Sequence, residues 1–194
     1  MSRHARQERR TKETEIEVSW DLDQSSAGRI SSGIGFLDHM LEALARHSET
    51  SLSVSCQGDL HIDGHHTTED IGIVMGRCLR EALGERRGIE RYGHICVPLD
   101  EALVCASIDI SGRAHLAYDL QIPAASLGEW DTELVFEFFD AFCGNAQIGL
   151  HLHQQYGRNS HHIVEAAFKA CARALRQAIR VSGNDIPSTK GALD

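Results

Sequence analysis

The chain lacks any apolar run long enough to cross a bilayer, so no helical membrane span is expected. It lacks an excess of positive charge. Nineteen Lys and Arg against 28 Asp and Glu leave a net charge of −9, which argues against a nucleic-acid partner that would need a basic face. Its basic start (Arg3, Arg6, Arg9, Arg10) is not followed by an apolar stretch, so it does not read as a secretory signal. It reads instead as a solvated, disordered extension over 1–10. None of the six cysteines (Cys56, Cys78, Cys96, Cys105, Cys143, Cys171) forms a C-x-x-C pair. Several fall on apolar faces, where Cys acts as a small hydrophobe, so a reduced, cytoplasmic setting is expected rather than a disulfide scaffold. Hydrophobic residues make up 42% of 194, enough for one large domain or two half-domains with a real core.

What is present in excess is histidine, twelve in all, and it clusters. His65, His66 and Glu69 stand in "DGHHTTED"; His161, His162 and Glu165 stand in "NSHHIVEA". Both sets are spaced i, i+1, i+4, and they lie 96 positions apart (65 to 161). On a helix, i and i+4 share a face, so His65 can act with Glu69 and His161 with Glu165. The second histidine of each pair points about 100° away. Each helix start can then offer a His/Glu pair to one metal ion and a lone His to another. A single such triplet is more often a cap or a satisfied polar group than a ligand set. The second copy changes that weighing, because the duplication runs on past the histidines. At the same offset Ile71 matches Ala167, Met75 matches Cys171, Cys78 matches Ala174, Leu79 matches Leu175, Ala82 matches Ala178 and Leu83 matches Ile179. These positions step by three and four, as the apolar face of a helix does. Arg77 and Arg80 recur on the polar face as Arg173 and Arg176.

The rest of the chain is organised around these helices. Alternation over 14–22 (Ile16, Val18, Trp20, Leu22) predicts a half-buried strand. A short strand near 28–32, a helix over 36–47, strands at 51–56 and 59–63 and the long helix 65–83 complete a first repeat over 11–86. The charged, glycine-punctuated "GERRGIERYG" separates it from a second repeat over 87–182. There, strands at 92–97, 101–110 and 114–122 precede a helix over 131–143, a strand at 147–153 and a long helix over 160–181. Asn159 or Ser160 caps that last helix. Residues 183–194 read as a polar tail. The expected fold is α+β: a tandem duplication of a half-domain, each half a mostly antiparallel four-stranded sheet with two helices on one face.

The copies differ in one informative place. "FLD" at 36–38 echoes "FFD" at 138–140, which sets His39 opposite Ala141 and implies a six-residue contraction before the second motif. The second half has His151 on its strand where the first has Ser53. Each half thus adds one further histidine. His39, His65, Glu69 and His162 can make one site; His66, His151, His161 and Glu165 can make the other. Three nitrogens and a carboxylate leave positions open on an octahedral ion. A donor set without sulfur admits Mn, Fe, Co, Ni or Zn. Which chain supplies each ligand stays open, and sites completed between subunits fit equally well.

The combination "GFLDHML", "GDLHIDGHHTTEDIGI", "GIERYG", "PLDEAL", "DISGR", "NSHHIVEAAFKA" and "STKG" resembles the imidazoleglycerol-phosphate dehydratase family over nearly the whole chain. The resemblance implies a hydro-lyase of histidine biosynthesis that converts imidazole glycerol phosphate to imidazole acetol phosphate. It implies two Mn2+ per active site, a small phosphorylated imidazole as substrate, and a homo-oligomeric shell of twenty-four subunits with sites between them. It assigns Glu13 as base or proton shuttle, where the residue pattern alone suggests a solvated strand glutamate. It assigns Arg91, Arg113, Lys169, Ser188 and Lys190 to the phosphate, for which an arginine fork is well shaped. Where many members carry Gln, this chain has Ala43. His61 and His153 match no ligand and read as ordinary strand histidines. With no phosphatase-like extension, a monofunctional enzyme is expected. Two rivals are a different two-metal enzyme and a non-enzymatic metal-binding shell. The second is disfavoured because ferritin-like bundles use Glu-x-x-His on four long helices, whereas this chain reverses that order and has many strands.

Overall fold

The computed structural model describes residues 3–191 and Leu193; Met1, Ser2, Ala192 and Asp194, within the two terminal segments, lie outside the described residues. The first half runs β1 (His4–Arg10), β2 (Thr14–Asp21), β3 (Ile30–Ser31), α1 (Gly35–Ser48), β4 (Ser51–Gly58), α2 (His65–Leu83). The second runs β5 (Tyr92–Leu99), β6 (Ala102–Asp109), β7 (His115–Asp119), a small hairpin β8 (Ser126–Leu127) and β9 (Trp130–Asp131), then α3 (Leu134–Ala146), β10 (Gly149–Tyr156), α4 (Ser160–Ala178). The sheets have the orders β1-β2-β4-β3 and β5-β6-β10-β7, which are the same order in the two halves. Each is antiparallel except for one pair, β3 with β4 and β7 with β10. The duplicated α+β architecture is therefore as expected.

The registers repeat as well. His4 faces Asp21 as Tyr92 faces Asp109, and Ile30 faces Val54 as Tyr118 faces Leu152. Equivalent residues are thus 88 apart in β1 to β3 (4 to 92, 30 to 118) and 98 apart in β4 (54 to 152). α1 and α3 share the larger offset. They end on left-handed caps at Glu49 and Gln147, and buried Leu37, Met40, Leu41 and Leu44 map onto buried Val135, Phe138, Phe139 and Phe142. The ten extra residues carry the β8–β9 hairpin, which the sequence pattern did not reveal. The "FLD"/"FFD" echo is consequently a false alignment. The counterpart of His39 is Glu137, not Ala141, and the contraction before the second motif is two residues rather than six.

Three other expectations change. Residues 4–10 are not disordered but form an edge strand paired along its length with β2. Ala5 is buried, and Arg9 Nε donates 3.0 Å to Asp70 on α2. That carboxylate also accepts from Thr14 Oγ1, so a buried charge holds the hairpin to the helix. Residues 59–63 turn instead of pairing, with Ile62 N–H bonded to Asp59 O, so His61 is a turn residue; His153 does lie on β10. Cys96 and Cys105, directly opposed on β5 and β6, are joined in a disulfide, while Cys56, Cys78, Cys143 and Cys171 are free and buried.

The helices join the halves. α2 lies on β1, β2 and β4, and α4 lies on β5, β6 and β10; α1 packs on α4 and α3 packs on α2. A Cβ at Gly72 or Gly76 of α2 would sit 2.7 Å or 2.6 Å from the carbonyls of Phe138 and Phe142, so this crossing needs glycine. Phe138, Phe139, Phe142 and Phe168 form an aromatic cluster, with Trp20 of the first half 6.2 Å from Phe142. Truncating any of these phenylalanines is expected to cost ~3–5 kcal/mol. One continuous core therefore spans both repeats. No helix among the described residues is long and apolar enough to cross a membrane.

Candidate functional site

The start of α4 gathers a cluster of polar side chains. Asn159 caps the helix by accepting from the N–H groups of His161 and His162. One turn in, Glu165 Oε2 lies 3.1 Å from His161 Nε2 and 3.7 Å from His39 Nε2. Donor atoms of these three residues all lie within 4.8 Å of one another, the single group of this kind found among the described residues. Phe36 stands edge-on to both rings, with centroids at 5.1 Å and 6.3 Å. Lys169, one turn along α4, donates to Glu165 Oε1 at 2.7 Å. Burial alone would raise the Glu165 pKa, but the Lys169 hydrogen bond and charge, with His39 and His161, outweigh it and hold the carboxyl below its ordinary value.

The outer histidine of each motif is tethered by a carboxylate. His162 Nδ1 lies 2.7 Å from Glu101 Oε2, on the β5–β6 turn. A carboxylate only accepts, so Nδ1 donates; in the neutral ring the lone pair then sits on Nε2, which lies 3.7 Å from Asp100 Oδ2. Glu101 is brought down to about 2 by this bond and by the N–H groups of Asn159 and Arg158. His66 Nδ1 is held likewise, 3.0 Å from Asp59 Oδ2. Its pKa is raised by that bond first and, against burial, by the negative field of Glu13. His65 and Glu69 pair more loosely, at 3.8 Å.

Within one chain only part of the expected ligand sets comes together. His39 joins His161 and Glu165, not His65, Glu69 and His162, because α1 packs against α4 and not against α2. His151 is on the exposed face of β10, between buried Leu150 and Leu152, with His115 of β7 5.5 Å away. It does not meet His66, His161 or Glu165 within one chain. The cations divide too. Lys169 sits at the His39 cluster. Arg91 forks onto Asp109 at 2.7 and 3.2 Å and donates to Pro187 O at 3.0 Å, bringing the Ser188–Lys190 turn beside it. Asp109 raises the Arg91 pKa. Arg113 is exposed just before β7. Ala43 is buried on α1, so no polar group stands there. Phe36, Asp59 and Glu101 escaped the sequence reading. "FLD" and "PLDEAL" contained two of them, but nothing in a linear motif says which histidine a turn residue will reach.

The imidazoleglycerol-phosphate dehydratase family model matches residues 32–175. The enzyme of that name from Granulibacter bethesdensis is 55% identical over 196 residues, covering all of both chains, and that from Gluconobacter oxydans is 54% identical over 99% of this chain and 98% of its own. The crystal structure of imidazoleglycerol-phosphate dehydratase from Staphylococcus aureus matches with a TM-score of 0.84 at 40% identity, covering 92% of this chain and 99% of that one. The Pyrococcus furiosus structure matches with 0.84 at 38%, covering 96% and 100%. With the duplicated sheets and paired histidine motifs, these likenesses leave one assignment: the chain belongs to the imidazoleglycerol-phosphate dehydratase family, hydro-lyases of histidine biosynthesis.

Proposed function

We propose that this chain dehydrates imidazole glycerol phosphate at two divalent metal ions, Mn2+ in the first instance, held by His39, His65, His66, Glu69, His151, His161, His162 and Glu165. The observation that carries this reading is the convergence of His39, His161 and Glu165. Three nitrogen and oxygen donors on two packed helices, none of them sulfur, fit a hard-to-borderline ion with positions left for substrate. The tethered Nδ1 atoms of His66 and His162 fit the same reading, since Nε2 of each is left to donate. When bound, such ions would supply Lewis-acid stabilisation of negative charge on the substrate's imidazole ring, the charge that would let the neighbouring hydroxide leave by an imidazolate/diazafulvene route.

The chain's own residues supply the rest. Glu13 removes the proton from the neighbouring carbinol carbon, and the resulting enol tautomerises to the ketone. Arg91, Arg113, Lys169, Ser188 and Lys190 take the phosphate. The Asp109 fork and the Pro187 carbonyl pin Arg91 in one rotamer while leaving N–H donors over for phosphate oxygens.

The reading includes a homo-oligomer of twenty-four subunits in the cytoplasm. Its support is the incompleteness of one chain: His65, Glu69 and His151 stand apart from the His39 cluster and need donors from elsewhere. The test is turnover of imidazole glycerol phosphate by chelated protein, with and without added Mn2+, alongside particle mass. Metal-restored formation of imidazole acetol phosphate and a smaller particle after chelation are expected. Full activity in chelated protein would overturn the metal role, and unchanged mass after complete chelation would overturn shared ligation.

A further inference from the structure

Each half brings a carboxylate to the outer histidine of its motif, but from a different element. The β1–β2 and β5–β6 hairpins have the same register, so Glu13 and Glu101 occupy the same position of the two turns (4 to 92, 13 to 101). In the second half that position does the tethering. Glu101 Oε2 takes His162 Nδ1 at 2.7 Å, while Oε1 accepts from Asn159 N at 2.7 Å and Arg158 N at 3.2 Å. In the first half the tether is Asp59, just past the end of β4, at 3.0 Å from His66 Nδ1. The residue just past the end of β10 is Gly157. A Cβ there would lie 2.9 Å from Ile163 Cγ1 and 3.0 Å from Ala102 Cβ, so no aspartate fits at the second tether position. Each half has one carboxylate bonded to Nδ1, with Asp100 a looser second neighbour 3.7 Å from His162 Nε2, and only the first half has its turn glutamate off the tether.

We infer that Glu101 and Asp59 are positioning residues for His162 and His66, and that the move of the tether to Asp59 is what leaves Glu13 available for proton transfer. This rests on the metal reading of the motifs. Each carboxylate holds Nδ1 as the donor, so that a ring that gives up its second proton to a metal ion offers the Nε2 lone pair; at His162 that nitrogen lies 3.7 Å from Asp100 Oδ2.

Glu101→Gln separates positioning from mere loop tethering. Two backbone N–H groups claim the amide oxygen, so the NH2 group faces His162 Nδ1. That nitrogen must then accept, which moves the proton to Nε2 and removes the ligating lone pair. A loop tether would be indifferent to this change. Mn2+ binding is measured by calorimetry on metal-stripped wild type and variant, with melting temperatures of the stripped proteins. The expected result is one class of sites weakened ~10–100-fold, with the stripped proteins melting together. Wild-type affinity in Glu101→Gln overturns the inference; failure of the wild type to bind Mn2+ at all overturns the metal reading beneath it. Should stripped Glu101→Gln melt well below wild type, Asp59→Ala decides. Apart from its own backbone, its side chain bonds only His66 among the described residues, so weakened Mn2+ binding is expected without lowered melting, and unchanged binding overturns the proposal.

Discussion

The two halves are one structure written twice with the tasks divided differently. Arg3 and Arg91 stand at the same position before β1 and β5. Leu22 N–H bonds Arg3 O as Ile110 N–H bonds Arg91 O; Arg91 grips Asp109, the last residue of β6, Arg3 grips Asp23, two residues past the end of β2, and each also donates to a backbone carbonyl. One of these latches, Arg91, is the proposed phosphate contact; the other holds only the fold. Glu13 and Glu101 divide in the reverse sense, with the first half keeping the proposed chemical copy. The motifs differ too. Glu165 is 14% exposed and already gathers His39, His161 and Lys169, whereas Glu69 is 45% exposed and, among the described residues, pairs with His65 alone. Duplication lets one copy of a position stabilise while the other works, and in the proposed assembly the open motif is the one completed from outside the chain.

The sharpest way to break this comparison is at the turn glutamates. Glu13→Gln is expected to lower kcat by ~10²–10⁴-fold, the usual worth of a positioned acid or base, while Mn2+ uptake stays at the wild-type level. Its counterpart Glu101→Gln should act on Mn2+ affinity instead. Steady-state kinetics beside metal titration reads both. If the two variants fail in the same assay, the division of labour is wrong.

The arginine pair gives a smaller contrast. Lysine keeps the charge but loses the fork. Arg91→Lys should raise KM about tenfold, or ~1.4 kcal/mol of binding, and lower stability. Arg3→Lys should lower stability alone, because no site residue adjoins it. A KM unchanged in Arg91→Lys would reduce Arg91 to a second latch.

How much of this was legible follows from where the information lies. The range 65–83 was read residue for residue, because α2 repeats its apolar face at helical steps and begins on Gly64, with Asp63 accepting from His65 N–H. β1 was missed because its burial alternates weakly: only Ala5 is buried, and the strand is held by pairing and by the Arg9–Asp70 bond. Leu60 and Ile62 imitated a strand, yet both are exposed in a turn. The motif histidines stood out in the sequence, but their grouping did not. It depends on α1 choosing α4 as its neighbour, a contact between residues more than a hundred positions apart. The Glu13–Glu101 equivalence was likewise hidden, since sheet register and not residue identity aligns the turns.

The last test weighs the purely structural latch. Arg3 hydrogen-bonds Asp23 and holds its carboxyl below the ordinary 3.8, against a smaller opposing effect of burial. A depressed folded-state pKa means that the ionised form is favoured by folding. The stabilisation is therefore fully present above the unfolded value and is lost as pH falls through the folded one. Asp23 is 42% exposed, so solvent screening limits the pair to ~1 kcal/mol or less. Asp23→Asn should melt slightly below wild type at pH 7, and the gap should close as pH drops below about 3.8. A gap that persists in acid would mean that Asp23 acts through shape and hydrogen bonding rather than charge. No gap at neutral pH would leave β1 held by its pairing with β2 and by Arg9, and the Arg3 latch would then be a relic of the position that Arg91 puts to use.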